Sequence, residues 1–353
     1  MTKETLLGKT LEQLKDVASV NGMPAFTAKQ MADWLYVKKV TEISQMTNLS
    51  IAKRSELALK YEVGRKLPVE TAESQDGTKK YLFETSDGHF IESVFIPEED
   101  RATLCVSSQV GCKMNCLFCQ TGKQGFSENL SANEILNQVF SIPESDQLTN
   151  LVFMGMGEPF DNTLEVLQAL EILTAPWGYA WSPRRITVST IGLIPGMKQF
   201  LEHSQCHLAV SLHSPFDKER LELMPAQKAY PIEKILEVVK QHDFRHQRRV
   251  SFEYIVFDRL NDSMRHAREL VRLLRGIPCR VNLIRFHAIP NVALKGANNE
   301  RMVFLRDYLT ENSITCTIRR SRGEDILAAC GMLSSAKKNT DSSEQQSFEA
   351  DNK

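Results

Sequence analysis

The segment Cys112-Lys113-Met114-Asn115-Cys116-Leu117-Phe118-Cys119 places three cysteines, the cysteine triad, in the spacing C-x3-C-x2-C. Thiolates are soft ligands that suit both iron–sulfur clusters and zinc. A structural zinc ion needs four closed ligands, and Cys105 could supply the fourth. Three ligands on one tight loop would instead leave one iron of a [4Fe-4S] cube open to chelate a substrate. The spacing favours the cluster, with zinc as the alternative.

The composition is that of an ordinary globular protein. The chain has 353 residues, 42% hydrophobic and 25% charged, which suits one large domain with a smaller one, or two medium ones. The net charge of −1 gives no indication of a nucleic-acid partner, so such a partner must be argued from local motifs. Eight cysteines in so long a chain do not suit a small secreted disulfide scaffold. Without an apolar run of membrane-spanning length or a signal peptide, we expect a cytoplasmic protein.

Residues 1–72 predict a small helical domain. Thr10 can cap a first helix, Thr27 can cap a second, and a third is expected from about Ser50 to Tyr61. The third helix exposes basic side chains, which could contact phosphate. A solvated helix face is the commoner reason for one short charge cluster.

Residues 73–97 predict a β-hairpin that links this domain to the rest of the chain. Two β-rich segments are joined by a turn-prone tripeptide: residues 80–84, Ser86-Asp87-Gly88 and residues 89–96. Residues 334–353 are polar and predict a disordered tail. The main domain is therefore expected at residues 98–333.

Short apolar strands alternate with helical stretches throughout this main domain. The candidate strands are residues 103–107, 151–154, 185–190, 207–211, 250–256 and 281–286. Repeated strand–helix alternation predicts an α/β fold with a parallel sheet and right-handed crossovers. Six units are too few for the eight-stranded barrel, so we expect a partial (βα)6 barrel. Its site should lie at the C-terminal ends of the strands.

Polar groups and glycines follow three of the predicted strands. Met154-Gly155-Met156-Gly157-Glu158-Pro159 follows the second strand, Ser189 ends the third, and Ser211-Leu212-His213 ends the fourth. Taken singly, these features are more often a glycine turn or a helix cap. Three strand ends that offer polar groups toward one point favour a pocket.

Together these segments resemble the radical S-adenosylmethionine (SAM) superfamily and, more closely, the RlmN/Cfr family of 23S ribosomal RNA methyltransferases. The resemblance is carried by residues 105–112, Met154–Pro159, Ser182-Pro183-Arg184-Arg185, Ser211-Leu212-His213, Leu223-Met224-Pro225 and Ala328-Ala329-Cys330-Gly331. It extends from the N-terminal helices to about residue 333. It implies a radical SAM barrel in which residues 1–72 form an accessory RNA-binding domain.

The resemblance implies a [4Fe-4S] cluster on Cys112, Cys116 and Cys119. The positions that match the family's SAM contacts are Gly157, Glu158, Ser189, Ser211, Leu212, His213 and His287. His287 stands where the family usually has asparagine, so this chain departs from the family pattern at that contact. In this family SAM first methylates a cysteine, matched here by Cys330. A radical from a second SAM then activates that methyl group for addition to the base.

Two further catalytic roles are implied by the resemblance. Cys105 matches the cysteine that releases the product through a transient disulfide, and Glu92 matches the family's proposed general base. The expected reaction is methylation of an adenine at carbon 2 in 23S ribosomal RNA, with transfer RNA as a further candidate substrate and an electron donor such as flavodoxin. Methylation at carbon 8 is the alternative within the family. A non-catalytic, zinc-stabilised RNA-binding protein is the alternative from another class, and it leaves Cys330 without a role.

Overall fold

The computed structural model describes residues 3–244 and 250–334, so the predicted tail lies almost wholly outside the described residues. The N-terminal region has three helices and a two-stranded parallel sheet: β1 (Glu4–Thr5), α1 (Leu11–Val20), α2 (Thr27–Ala32), α3 (Ile51–Lys60) and β2 (Tyr61–Glu62). The predicted helical region is thus observed, and its two ends pair with each other. None of the helices in the described ranges has the length and apolar character needed to cross a membrane.

Two of the three predicted helix starts are confirmed. Thr10 Oγ1 accepts from Gln13 N at 3.3 Å while Gln13 Oε1 accepts from Thr10 N at 2.8 Å, a capping box at α1. At the start of α3, Ser50 Oγ accepts from Lys53 N at 3.3 Å. The predicted cap at Thr27 is wrong, because the backbone is already helical at Phe26, which occupies the cap position of α2.

The predicted hairpin is present and is part of the main sheet. Strands β4 (Lys79–Glu84) and β5 (Phe90–Pro97) pair antiparallel, and β3 (Glu70–Glu73) adds a third strand on the outside. Strand β5 also pairs antiparallel with β6 (Ala102–Cys105), the first strand of the main domain. The hairpin therefore extends the central sheet.

The central sheet has ten strands in the order β14-β13-β12-β11-β10-β9-β6-β5-β4-β3. Its parallel part continues from β6 through β9 (Asn150–Phe153), β10 (Ile186–Thr190), β11 (His207–Ser211), β12 (Val250–Val256), β13 (Cys279–Arg285) and β14 (Thr315–Ile318). The predicted partial barrel is confirmed. It has one more parallel strand than predicted, because the four-residue edge strand β14 offers no apolar run.

Helices join the parallel strands and cover one face of the sheet. They are α4 (Gln120–Lys123), α5 (Ala132–Phe140), α6 (Thr163–Thr174), α7 (Ile194–His203), α8 (Asp217–Leu223), α9 (Ile232–Gln241), α10 (Met264–Leu274) and α11 (Asn299–Glu311). A small antiparallel pair, β7 (Gln109–Gly111) and β8 (Phe126–Asn129), flanks the cysteine triad and α4. The predicted alternation of strands with helical stretches is confirmed by these helices.

The two faces of the parallel strands differ in chemistry. One face carries apolar side chains that are at most 1% exposed: Ile186, Val188, Leu208, Val210, Phe252, Tyr254, Val281 and Leu283. The strand register places small or polar residues side by side on the other face: Ser189, Ala209, Ser211, Ser251, Glu253, Asn282 and Thr317. Because side chains alternate along a strand, the apolar face packs under the helices and the polar face lines the barrel interior.

Candidate functional site

The cysteine triad lies on a tightly wound loop between β7 and α4. The loop starts at Gly111, whose φ is +74° and where a side chain would collide with the carbonyl oxygen of Gly125. Cys112 N donates to that same oxygen at 2.8 Å, and Cys119 N donates to Cys116 O at 3.2 Å. Only a glycine fits where these two backbone segments cross, so the sequence that precedes the triad fixes its position.

Burial and mutual repulsion oppose ionisation of the triad thiols. Burial raises the pKa of Cys112 to about 12, and burial together with the charges of Cys119 and Cys112 raises the pKa of Cys116. Three thiolates this close are stable only beside compensating positive charge, which an iron–sulfur cluster supplies. Within residues 3–244 and 250–334, no three His, Cys, Asp or Glu side chains form a group that could hold a single metal ion.

Cys105 lies on β6 and is separate from the triad. Burial raises its pKa to about 12, the nearby Cys330 contributes in the same direction, and Arg319 opposes them. Its electrostatic neighbours are thus Cys330 and Arg319. The zinc alternative needs Cys105 beside the triad, and none of the triad thiols is among the groups that shift the pKa of Cys105.

The loop that carries Cys330 lies against the start of α4. Gln120 N, which directly follows the triad, donates to Gly331 O at 2.7 Å, and Thr121 Oγ1 donates to Leu333 O at 2.8 Å. Cys330 is exposed as a residue, while burial of its thiol against the barrel raises its pKa and Arg319 lowers it. Cys105 and Cys330 are both free thiols. Cys105 and Cys330 are thus electrostatic neighbours, and Cys119 of the triad is among the groups that raise the pKa of Cys330.

Glu158 joins the ends of strands β9 and β10. Its Oε1 accepts from Thr190 Oγ1 at 2.7 Å and Phe160 N at 3.0 Å, and its Oε2 accepts from Ile191 N at 2.9 Å. A carboxylate has about four acceptor sites, so one remains for an external donor. Burial raises the pKa of Glu158 to about 7 in spite of these three donors. Before it, Gly157 has φ +99°, and an added Cβ would lie 2.7 Å from Gln109 N.

The end of β11 contacts the triad loop through His213. The imidazole packs edge-on against Phe118 with ring centroids 4.7 Å apart, and its Nδ1 accepts from Ile255 N at 3.0 Å. Burial lowers the pKa of His213 to about 3, so it is neutral. Leu212 is fully buried, whereas Ser189 and Ser211 are half-buried on the polar face. These predicted SAM contacts, with Gly157 and Glu158, converge on one end of the barrel.

Arg220 on α8 is a buried residue that sequence reasoning missed. Its side chain is fully buried and donates to four backbone carbonyl oxygens, those of Ile191 at 2.9 Å, Ser211 at 3.0 Å, Leu212 at 3.2 Å and Tyr230 at 3.4 Å. Burial lowers the pKa of Arg220 to about 10, and the charge of Cys116 opposes that shift. The Arg220 guanidinium thus hydrogen-bonds to the backbone at the ends of both β10 and β11, and Cys116 of the triad is one of its electrostatic neighbours. In sequence it stands among charged residues of a short helix, as a solvent-exposed arginine would.

Glu92 on β5 is buried and already ion-paired. Lys80 Nζ lies 2.8 Å from Glu92 Oε1, and Ser334 N donates to Glu92 Oε2 at 2.8 Å. Burial raises the pKa of Glu92 more than Lys80 lowers it. The expected general base thus contacts the end of the loop that carries Cys330.

His287 lies apart from the other predicted SAM contacts. Its Nε2 is 3.0 Å from Ser321 Oγ and its Nδ1 is 3.6 Å from Glu324 Oε2, both in the loop that follows β14. Burial lowers the pKa of His287, and Glu324 opposes that shift. The structure therefore places His287 on the β13–β14 side of the barrel mouth, with the Cys330 loop.

Glu253 and Arg319 form a second polar centre that the sequence did not indicate. Glu253 Oε1 accepts from Asn282 Nδ2 at 2.8 Å and Ser251 Oγ at 3.0 Å, and its buried Oε2 lies 3.4 Å from Arg319 Nε. Glu253 raises the pKa of Arg319 and holds its charge in the barrel. Arg319 lowers the pKa of both Cys105 and Cys330, and Glu253 opposes that effect at Cys330.

Comparison with known proteins matches both parts of the chain. Residues 106–271 match the Radical SAM superfamily, and residues 5–63 match the ribosomal RNA large subunit methyltransferase N-terminal domain. The chain is 65% identical to a probable dual-specificity RNA methyltransferase RlmN of Parabacteroides distasonis, covering 95% of this chain and 98% of the relative. It is 41% identical to the dual-specificity RNA methyltransferase RlmN of Syntrophotalea carbinolica, covering 94% and 90%. The crystal structure of a radical SAM methyltransferase from Sphaerobacter thermophilus superposes with a TM-score of 0.89 at 39% identity, covering 94% of this chain and all of that one.

Proposed function

Since the chain belongs to the RlmN family of radical SAM RNA methyltransferases, we propose that it methylates carbon 2 of an adenine in 23S ribosomal RNA. Transfer RNA is the second substrate in this proposal, which the dual specificity in the relatives' names supports. A cytoplasmic location and an electron donor of the flavodoxin kind belong to the same proposal. The observation that carries it is the electrostatic link between Cys105 and Cys330, two thiols outside the triad whose pKa values both respond to Arg319.

The cofactors proposed are a [4Fe-4S] cluster on the triad and SAM at the ends of β9, β10 and β11. Together they supply a methyl group and a radical when bound. The remaining acceptor site of Glu158 suits the ammonium of SAM, and Gly157 lets the ligand approach the backbone. Arg220 holds the ends of β10 and β11 in place around that ligand.

Cys330 is proposed as the methyl acceptor. Its sulfur must be a thiolate to attack a methyl group, and Arg319 favours that form against the effect of burial. The methylated sulfur then becomes linked to the adenine through the transferred carbon. Glu92 is proposed as the base that removes the proton from the modified carbon, with Lys80 holding its carboxylate in place.

Cys105 is proposed to release the product. Its thiolate attacks the sulfur of Cys330, and the bond from that sulfur to the transferred carbon breaks. The carbon keeps the electron pair and takes a proton to become the methyl group, which leaves a disulfide between the two cysteines. The electrostatic contact between the two residues supports that role. The disulfide is thus a transient state of the reaction, in keeping with the two free thiols of the structure.

Mass spectrometry of nucleosides tests the proposed product. RNA is taken from a bacterial strain that lacks its own enzyme and expresses this chain. We expect 2-methyladenosine with the wild type and with Cys206→Ala, a matched control at a buried thiol just before β11, and none with Cys330→Ala. Appearance of 8-methyladenosine would favour the carbon-8 alternative. An active Cys330→Ala variant would refute the proposed mechanism.

A covalent adduct separates the roles of the two cysteines. Cys105→Ala should methylate Cys330 and attack the base, then stall, because no thiol remains to break the protein–RNA bond. Denaturing gel electrophoresis should show a ribonuclease-sensitive adduct with Cys105→Ala and none with Cys330→Ala or the double variant. Two inert buried thiols would instead leave both variants active, with a modest loss of stability.

A further inference from the structure

A cleft of about 460 Å³ opens where strands β13 and β14 end, on the same side of the barrel as the Cys330 loop. Its charged lining residues are Asp76, Arg285, Arg319, Arg320, Arg322 and Glu324. Arginines outnumber carboxylates two to one, so the cleft is positive although the chain has a net charge of −1.

Two of these arginines have protein partners and two do not. Arg319 lies 3.4 Å from Glu253, and Arg322 lies 3.9 Å from Asp76. The guanidinium groups of Arg285, which is half-buried, and Arg320, which is exposed, make no hydrogen bond or ion pair with any residue in the described part of the chain. Two unpaired cations held in one cleft repel each other, and an anion bound between them would remove that cost.

The chemistry and the place of the cleft point to a phosphate. Guanidinium groups bind phosphate through paired N–H donors and stay charged at all ordinary pH values. Most residues that line the cleft belong, like Cys330, to the loop after β14, in which Ala328 N donates to Gly323 O at 2.8 Å. Arg319, which lines the cleft, also lowers the pKa of Cys330. An adenine that reaches Cys330 brings the phosphates on either side of it to this wall of the barrel.

We propose that Arg285 and Arg320 bind the backbone phosphates next to the target adenine. This site rests on the proposed function, and it names the part of the RNA that the barrel itself holds. Phosphate contacts position a nucleic acid and carry no sequence information. The cleft therefore fixes where the strand crosses the barrel mouth, and the choice of adenine is made elsewhere.

Salt dependence of RNA binding tests the site. The probe is a fluorescein-labelled RNA hairpin of the 23S substrate, titrated with cluster-loaded protein at several salt concentrations. Arg285→Ala and Arg320→Ala should each weaken binding about tenfold. Each should also lower the slope of log Kd against log salt by about 0.7, the value for one phosphate contact on a single strand. Arg320→Lys should keep most of the slope, because lysine retains the charge.

Three controls separate a phosphate site in the cleft from a general effect of charge, from base recognition and from damage to the fold. Arg272→Ala removes an exposed arginine that is paired with Glu269 on α10, and it should change neither affinity nor slope. The two cleft variants should lose the same RNA affinity for a hairpin with guanine at the target position, because contacts to phosphate do not depend on the base. Iron content, melting temperature and SAM affinity should match the wild type in both variants.

The outcomes distinguish failure of the site from failure of the function. Wild-type affinity and slope in Arg285→Ala and Arg320→Ala, with an active wild-type enzyme, would overturn the phosphate site alone. Loss of SAM affinity in these variants with unchanged RNA binding would assign the cleft to the carboxylate of SAM and also overturn it. A wild-type protein that neither binds nor methylates RNA would refute the proposed function itself.

Discussion

Replacing Glu158 by glutamine removes one charge from the proposed SAM site and keeps the size of the side chain. The carboxylate accepts three internal donors, Thr190 Oγ1, Phe160 N and Ile191 N, and has one site left for the SAM ammonium. A glutamine can turn its oxygen toward one side only, so at least one of these N–H or O–H groups would face an NH2 group. The variant therefore loses an internal hydrogen bond as well as its charge.

The magnitude follows from the charge-assisted bond. Such a bond contributes about 1.5–3 kcal/mol, so SAM affinity should fall about 10- to 150-fold in Glu158→Gln at pH 8. Thr190→Val serves as the control, because it removes one donor to the same carboxylate and leaves its charge in place. A loss that is large in Glu158→Gln and small in Thr190→Val assigns the effect to the charge.

The SAM affinity of the wild type should decrease as the pH falls, because Glu158 becomes protonated. Burial raises the pKa of Glu158 to about 7, so the carboxylate is mostly ionised at pH 8 and mostly protonated at pH 6. An ammonium needs the ionised form, and wild-type SAM affinity should fall about tenfold between pH 8 and pH 6. The SAM affinity of Glu158→Gln should not change in this way, so the difference in SAM affinity between the two proteins should be smaller at pH 6 than at pH 8.

The stability of the ligand-free protein should change in the opposite direction. Between the ordinary value of 4.5 and about 7, folded Glu158 holds a proton that the unfolded chain has released. The free energy of unfolding therefore falls as pH rises through this window, by about 3 kcal/mol in all. Isothermal titration calorimetry under anaerobic conditions measures the affinities, and thermal unfolding of the ligand-free protein measures the stability. Equal SAM affinity of wild type and Glu158→Gln at pH 8 would refute the role of the charge.

Three other variants test the remaining parts of the site. Cys116→Ala should abolish iron loading and SAM cleavage because two thiolates cannot hold the cluster firmly, and wild-type iron content with normal cleavage would contradict the cluster assignment. Gly157→Ala should destabilise the protein by about 1–3 kcal/mol and prevent SAM binding, since φ is +99° and the added Cβ would meet Gln109; an unchanged melting temperature and SAM affinity would argue against that packing. His287→Asn should keep methylation activity and lose any pH dependence below pH 6.5, because burial lowers the pKa of His287. An inactive His287→Asn enzyme with intact iron and SAM binding would show that the imidazole has a specific role.

The parts of the site that lie close together in sequence were predictable. The triad spacing and the glycine turn before Glu158 each depend on a few neighbouring residues, as does the helix cap at Thr10 in the N-terminal region, which the structure confirms. Strand β14 was missed because a four-residue strand at the edge of a sheet needs no apolar run. The positions of Glu253 and Arg319 follow from strand register across β12, β13 and β14, which no local pattern records.

Arg220 shows why the electrostatics of the site could not be predicted. In sequence it belongs to a short helix between charged neighbours, and such positions are usually exposed. It is buried because the ends of β10 and β11 leave carbonyl oxygens without partners, and five N–H donors in a fixed fork satisfy several of them at once. Its burial is therefore a property of two strand ends that are far from it in sequence.

Two arginines placed in this way partly offset the effect of burial on three thiols of a nearly neutral chain. Arg220 lies near Cys116 of the triad, and Arg319 lies near both Cys105 and Cys330. Burial alone would keep these three thiols protonated, since it raises the pKa of each of them. A metal ligand and a nucleophile must both be thiolates, so each centre requires a positive group inside the barrel. The net charge of the chain is uninformative because it does not record where these two guanidinium groups lie.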